Sequence, residues 1–219
     1  MITFEDVKNS TEIQTYIIKA DESLAAIGYT EHSFAHVGKV ASTSGEILRV
    51  LGYPDHDVEL AMIAGYMHDI GNLVNRVDHS QSGAVMAFRI LDRMGMEPED
   101  IATVVTAIGN HDEGIGVAVN PIAAALIIAD KTDVRRTRVR SINEIAFDIH
   151  DRVNYSVSDS RLDVSTKTGE IMLHLTIDDK YGSVMDYFEI FTERMLMCRK
   201  AAEKLGVSFR LMINGQILL

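Results

Sequence analysis

The string GYMHDIGN, residues 65–72, places His68 and Asp69 side by side at the end of an apolar helical run. In that run Leu60, Met62, Ile63, Ala64 and Met67 recur at i, i+3 and i+4 spacings, so the aspartate enters the interior where it should be driest. A buried carboxylate is costly unless it is paired or binds a metal. For the doublet alone two readings stand: a neutral imidazole bonded to an aspartate that caps the next turn, or two metal ligands. Other members of the eight histidines also fall where a helix ends or meets a break: His36 in EHSFAHVGKV, His79 in VDHSQSGAVMA and His111 in TAIGNHDEG, with Asp130 in LIIADKTD. Each has small or apolar neighbours, so each could point inward from a different helix, which is how helical bundles build metal centres. Taken singly, His79 or His111 reads as a helix-terminal cap rather than as a ligand. His32 lies four residues before His36 on the same helical face and is the rival for its role, whereas His56, His150 and His174 sit in polar or strand contexts that suit surface or structural roles.

Directly after Asp130 comes KTDVRRTRVR, with Arg135, Arg136, Arg138 and Arg140 in a strongly acidic chain. Such a run is either a solvated face or a phosphate-binding patch, since guanidinium matches phosphate oxygens in bidentate fashion. Lys131 adjoins Asp130, which makes it the cation nearest to the metal in the second case.

The elements that must carry these residues are mostly helical. Up to about residue 150 an apolar period of 3.6 holds in segment after segment. The helix TEIQTYIIKADESLAAIG has Thr11 as its expected N-cap and Gly28 as its stop, and the next runs from a cap at Thr30 to Gly52. Then come the helix bearing His68, SQSGAVMAFRILDRMG, EPEDIATVVTAIG, PIAAALIIADKTD and SINEIAFDIHDRV, with Pro98 and Pro121 near their starts. After residue 150, NYSVSDSRLDVSTKTGEIMLHLTID alternates like a two-stranded hairpin. YGSVMDYFEIFTERMLMCRKAAEKLG is a long amphipathic helix, and VSFRLMINGQILL is a final strand with a turn at Asn214-Gly215. The expected fold is mainly α: a helical domain over 1–150, and a C-terminal α+β extension over 151–219 with a short antiparallel sheet and a long helix.

Composition narrows the function. The chain has 219 residues and a formal net charge of -11, and its pI is near 5.1, which disfavours a nucleic-acid polymer or a membrane surface as partner. The single Cys198 excludes an internal disulfide and reads as packing, as do the eleven methionines. The N-terminus MITFEDVKNSTEIQ is acidic and polar rather than a signal peptide, and no apolar run nears the ~20 residues of a membrane span, so a cytoplasmic location is expected.

The order His36, His68-Asp69, His79, His111, Asp130 resembles the HD-domain superfamily of metal-dependent phosphohydrolases over roughly residues 30–135. His36 is followed by Val40 in the H-x-x-x-V manner of the family's first helix, the doublet lies in its HDIG string, and Asp130-Lys131 closes an apolar helix as its last ligand does. The resemblance implies a helical bundle with His36, His68, Asp69 and Asp130 as mononuclear ligands. His79 and His111 would be the pair that holds a second ion, Asp69 bridging. It implies Asp69 and Lys131 as catalytic residues, and one or two ions, with Fe, Mn, Mg or Zn all compatible with this donor set. The implied reaction is hydrolysis of a small phosphorylated metabolite or nucleotide by metal-bound hydroxide; the resemblance points to Lys131 as a substrate-binding residue, and the position of the basic run adds Arg135 and Arg138. A homodimer is compatible with it. Two subgroups fit less well: Asn72 and DEGIGVAVNP stand where the cyclic di-GMP enzymes carry a lysine and a GYP loop, and IGNL replaces the acidic string of the ppGpp hydrolases. The alternatives are a di-iron oxygenase with the same ligand order and a non-catalytic signalling module.

Overall fold

The computed structural model describes residues 2–140 and 149–219. Helices α1 (Phe4–Lys8), α2 (Thr11–Ala26), α3 (Phe34–Val50), α4 (Asp55–Met67), α5 (His79–Met94), α6 (Pro98–Gly109), α7 (Pro121–Lys131) and α8 (Ile149–Ser156) precede strands β1 (Val157–Ser165) and β2 (Glu170–Ile177). The long α9 (Val184–Lys204), β3 (Ser208–Ile213) and β4 (Gln216–Ile217) follow.

Short polar side chains set many of the helix starts. Ser10, Ser33 and Asn120 accept from backbone N–H groups at the starts of α2, α3 and α7, and Ser183 with Asp186 forms a capping box on α9. Two expected caps move: Thr11 is the first residue inside α2, and Thr30 lies outside α3 because Ser33, fixed by Glu31, takes the cap position. Pro98 and Pro121 open α6 and α7, where a missing N–H costs nothing. Of the helix expected over SINEIAFDIHDRV, residues 141–148 lie outside the described residues. The remainder is α8, which also takes Asn154 to Ser156 from the expected strand.

The core sits around α4 and α7. Every residue from Ile122 to Ala129 is buried, and so is nearly all of α4 from Leu60 to Met67, so over these stretches neither helix has a wet face. Gly65 lets α4 cross α3 at backbone contact: a Cβ there would lie 2.8 Å from Ala41 Cα. The sheet runs β1-β2-β3-β4 and is mixed, which corrects the expected antiparallel sheet: β1/β2 and β3/β4 are antiparallel but β2 and β3 are parallel. Between those two strands α9 carries the chain back to the starting end, the connection parallel pairing requires. Its apolar stripe Tyr187, Phe191, Met195, Cys198 and Ala202 is buried, and Ile171, Leu173 and Leu175 of β2 lie opposite Phe209, Leu211 and Ile213 of β3. Among the described residues no helix is long and apolar enough to cross a membrane.

Candidate metal centre

Five helix ends converge on one point. His36 lies in the first turn of α3, His68 and Asp69 just past α4, His79 at the start of α5, His111 just past α6, and Asp130 in the last turn of α7. After His68 the backbone leaves the α-helix at Asp69 (φ -98, ψ 1) and makes a 3-10 turn over Ile70–Leu73, so the two side chains of the doublet reach the same point. Gly71 brings that turn against α5: a Cβ there would lie 1.9 Å from the His79 carbonyl oxygen. Asp78 (φ 56) neither caps α5 with its side chain nor bonds the His79 ring.

All four imidazoles are held from behind. Nδ1 of His36 meets Asp133 Oδ2 at 2.8 Å, and Nδ1 of His68, His79 and His111 meets the carbonyl oxygens of Gly65, Arg76 and Ile108 at 2.8, 3.1 and 2.6 Å. A carbonyl only accepts, so those Nδ1 atoms carry the proton and the Nε2 lone pairs face inward. Nε2 of both His36 and His68 is buried without a hydrogen-bond partner. Around them lie carboxylate oxygens: His36 Nε2 is 3.6 Å from Asp69 Oδ2 and 3.4 Å from Asp130 Oδ1, and His68 Nε2 is 3.2 and 3.7 Å from the same two atoms. On the other side of Asp69, His79 Nε2 is 3.4 Å from Oδ1 and 3.2 Å from His111 Nε2.

These atoms are acceptors facing acceptors, an arrangement that a shared cation reconciles. With metal–ligand bonds of ~2.1 Å, neighbouring ligand atoms of one ion lie about 3.0–3.4 Å apart, close to the spacings present. His36, His68 and Asp130 form one group with ligand atoms within 4.8 Å of one another, and His68, Asp69 and His111 a second. The donor set therefore fits a divalent metal, with Asp69 offering one oxygen to each side.

Electrostatics agree. Burial works against ionising Asp69 and Asp130, but His68 beside the first and Lys131 beside the second hold both well below the usual carboxylate range. Burial likewise works to lower the His68 pKa, yet Asp69 and Asp130 push it up to about 10, so between these carboxylates Nε2 takes up a proton, in the place where a bound cation would act instead. Burial lowers the pKa of His79 and His111 and keeps both neutral, as ligands must be. Lys131 Nζ is 2.8 Å from Asp130 Oδ2 and 3.3 Å from Glu113 Oε1; burial opposes its charge and the two carboxylates restore it.

The structure thus brings together His36, His68, Asp69, His79, His111, Asp130 and Lys131. His32 stands beside them: its ring packs edge-on to His36 at 5.4 Å and its Nδ1 donates to the Thr30 carbonyl. The arginine run divides. Arg135 directs its donors to protein acceptors, Asp133 Oδ1 (2.9 Å), Glu31 Oε2 (3.2 Å) and Thr137. Arg138 does line that cavity, with Nε and one terminal nitrogen bonded to the carbonyls of Glu31 and Asp133. Asp133 escaped sequence reading: in DKTD it resembles any acid flanking a basic run, and its spacing of three from Asp130 was the available signal. Arg76, Glu113 and Arg194 also escaped, lying far apart in the chain.

Residues 33–156 match the family model of the HD domain. An uncharacterized protein of Methanocaldococcus jannaschii is 26% identical over 89% of this chain and 83% of its own length. Ribonuclease Y of Mycoplasma mycoides is 27% identical over 72% of this chain but only 36% of its own, so the chain spans about a third of that relative. The crystal structure of a predicted HD superfamily hydrolase from an uncultured Thermotogales bacterium is similar at 25% identity and a TM-score of 0.46, covering 57% of this chain and 67% of that one. With the family match extending over more than half of its residues and enclosing every one of the six converging side chains, the chain belongs to the HD domain family.

Proposed function

We propose that this chain is a metal-dependent phosphohydrolase acting on a small phosphorylated metabolite or nucleotide. The observation that carries the reading is the convergence of four inward Nε2 atoms on two ionised carboxylates, with each ring fixed from outside by its Nδ1. Family membership and a ribonuclease among the relatives support hydrolysis of a phosphoester as the reaction class.

His36, His68, Asp69 and Asp130 would hold the first ion, and His79, His111 and the second oxygen of Asp69 another. The chemistry such ions supply when bound is Lewis acidity, which acidifies water and offsets charge on a phosphoryl group. The protein does the rest. Asp133 fixes the tautomer and direction of His36. The Lys131 ammonium, kept protonated by Asp130 and Glu113, places a cation beside Asp130, the most exposed of the ligand carboxylates at 13%, where a phosphoryl oxygen would arrive. Buried walls exclude bulk water and strengthen each of these interactions.

The test is metal analysis of protein purified without added metal, followed by a phosphatase and nucleotide panel with Mn, Mg, Fe and Zn. Turnover of a phosphomonoester or phosphodiester that needs both the ion and His68 is expected. Iron-loaded protein that consumes oxygen and turns over no ester would replace this reading by the di-iron oxygenase.

A further inference from the structure

We infer that the cavity beside the metal centre selects substrates bearing a second phosphoryl group, and that Arg194, on a helix beyond the HD segment, reads it. The inference rests on the phosphohydrolase reading for where the reacting group sits. The cavity holds about 470 Å³, enough for a sugar bisphosphate or a nucleotide. It adjoins the centre at two points: His32 in its wall packs on His36, and Arg76 in its wall comes within 3.3 Å of His79 Nε2.

Three guanidinium groups, Arg76, Arg138 and Arg194, share this wall in a chain of net charge -11. Of the acids in the wall, Glu113 is already divided between Lys131 (3.3 Å) and Arg194 Nε (2.6 Å), and Asp151 has partners of its own. Arg194 is placed by two contacts: an ion pair between its Nε and Glu113 Oε1, at 2.6 Å but outside hydrogen-bond geometry, and the Phe191 ring, 4.5 Å from the guanidinium carbon. Among the described residues no hydrogen bond from its two terminal nitrogens is found, and the side chain keeps 23% exposure. A guanidinium fixed by its inner edge presents its outer edge as a fork, the geometry that takes two oxygens of one phosphate. Arg76 is held in the same manner, stacked 5.5 Å above Tyr29. Arg138 directs Nε and one terminal nitrogen to the carbonyls of Glu31 and Asp133, and Arg76 directs one to Asn72 and His79. The terminal nitrogens of Arg194 are therefore the chief donors left to a phosphoryl dianion, while Ile27, Tyr29 and Phe191 offer apolar surface to the carbon body between two phosphates.

Matched pairs isolate the second phosphate: fructose 6-phosphate against fructose 1,6-bisphosphate, and adenosine 5′-monophosphate against adenosine 3′,5′-bisphosphate. Affinity for the metal-loaded protein is measured by calorimetry, with kcat/KM in its place for any compound turned over. The wild type should favour each bisphosphate by at least about tenfold, the worth of one charge-assisted hydrogen bond, and Arg194→Gln should reduce that ratio below about threefold with metal content retained. Arg194→Lys, which keeps the charge and loses the fork, serves in the same way should Arg194→Gln not fold. Equal affinity within both pairs, or a ratio that survives the substitution, overturns the inference. Ester hydrolysis without the ratio removes the selectivity pocket alone; the ratio without ester hydrolysis removes the hydrolase reading and leaves the anion pocket standing.

Discussion

The two sides of the metal centre share Asp69 but are held differently. On one side, Nε2 of His36 and His68 faces carboxylates with no donor of its own, and the three helices supplying His36, His68 and Asp130 pack in the core. On the other, His79 and His111 turn their lone pairs toward each other, and the Arg76 guanidinium stands 3.3 Å from His79 Nε2 and 3.4 Å from Asn72 Oδ1. A protein cation therefore reaches a ring nitrogen on the second side, whereas on the first Lys131 meets only Asp130, and Nε2 of His36 and His68 has no hydrogen-bond partner among the described residues. The first side should bind its ion tightly and the second should bind more weakly, in competition with Arg76.

The largest effect belongs to the shared residue. Asp69→Ala should leave no bound metal and no activity while the helical circular dichroism is kept, and stoichiometric metal in that variant would end the assignment. Next, Asp133→Asn should weaken the first ion about 10- to 100-fold, the usual worth of an outer partner of a ligating histidine, with little effect on the second. Titration with a metal-sensitive dye reads both affinities; an equal loss on both sides would mean that Asp133 acts on the fold rather than through His36.

His79→Ala is expected to lower the occupancy of metal-replete protein from about two ions to about one, the separation of two-metal sites being ~3.5–4 Å. A replete wild type holding one ion would make the centre mononuclear. The smallest change is the most diagnostic: Arg76→Gln should tighten the second ion several-fold by removing a like charge, an effect of about 1 kcal/mol or less near the surface. Weaker second-ion binding in that variant would reverse the role given to Arg76.

Much of this was legible before any coordinates. Residue type and position at helix ends marked His36, His68, Asp69, His79, His111 and Asp130 as inward-pointing candidates, and it was the resemblance of their order to the HD family that grouped them as one ligand set. The hairpin turn at Asn214-Gly215, with both residues at positive φ (51 and 81), was legible for a similar local reason. The direction of β3 was not: alternation is the same in parallel and antiparallel strands, and only the return path through α9 distinguishes them.

The arginine run shows where local information ends. Arg135 and Arg138 differ little in their neighbours along the chain, yet one is drawn to Glu31 and the carboxylate of Asp133 while the other lines the cavity. Arg76 in the helical domain and Arg194 in the C-terminal extension meet in that same wall. Sequence alone determined the helical periods and the mainly α class, since these follow from spacing, and it offered metal binding as the chemistry that its resemblance to the HD family implies. Tertiary packing decided which nitrogen of each imidazole faces inward, that Asp133 stands behind His36, and which arginines border the site, because a side chain's partner is set by what other segments bring within a few ångströms of it.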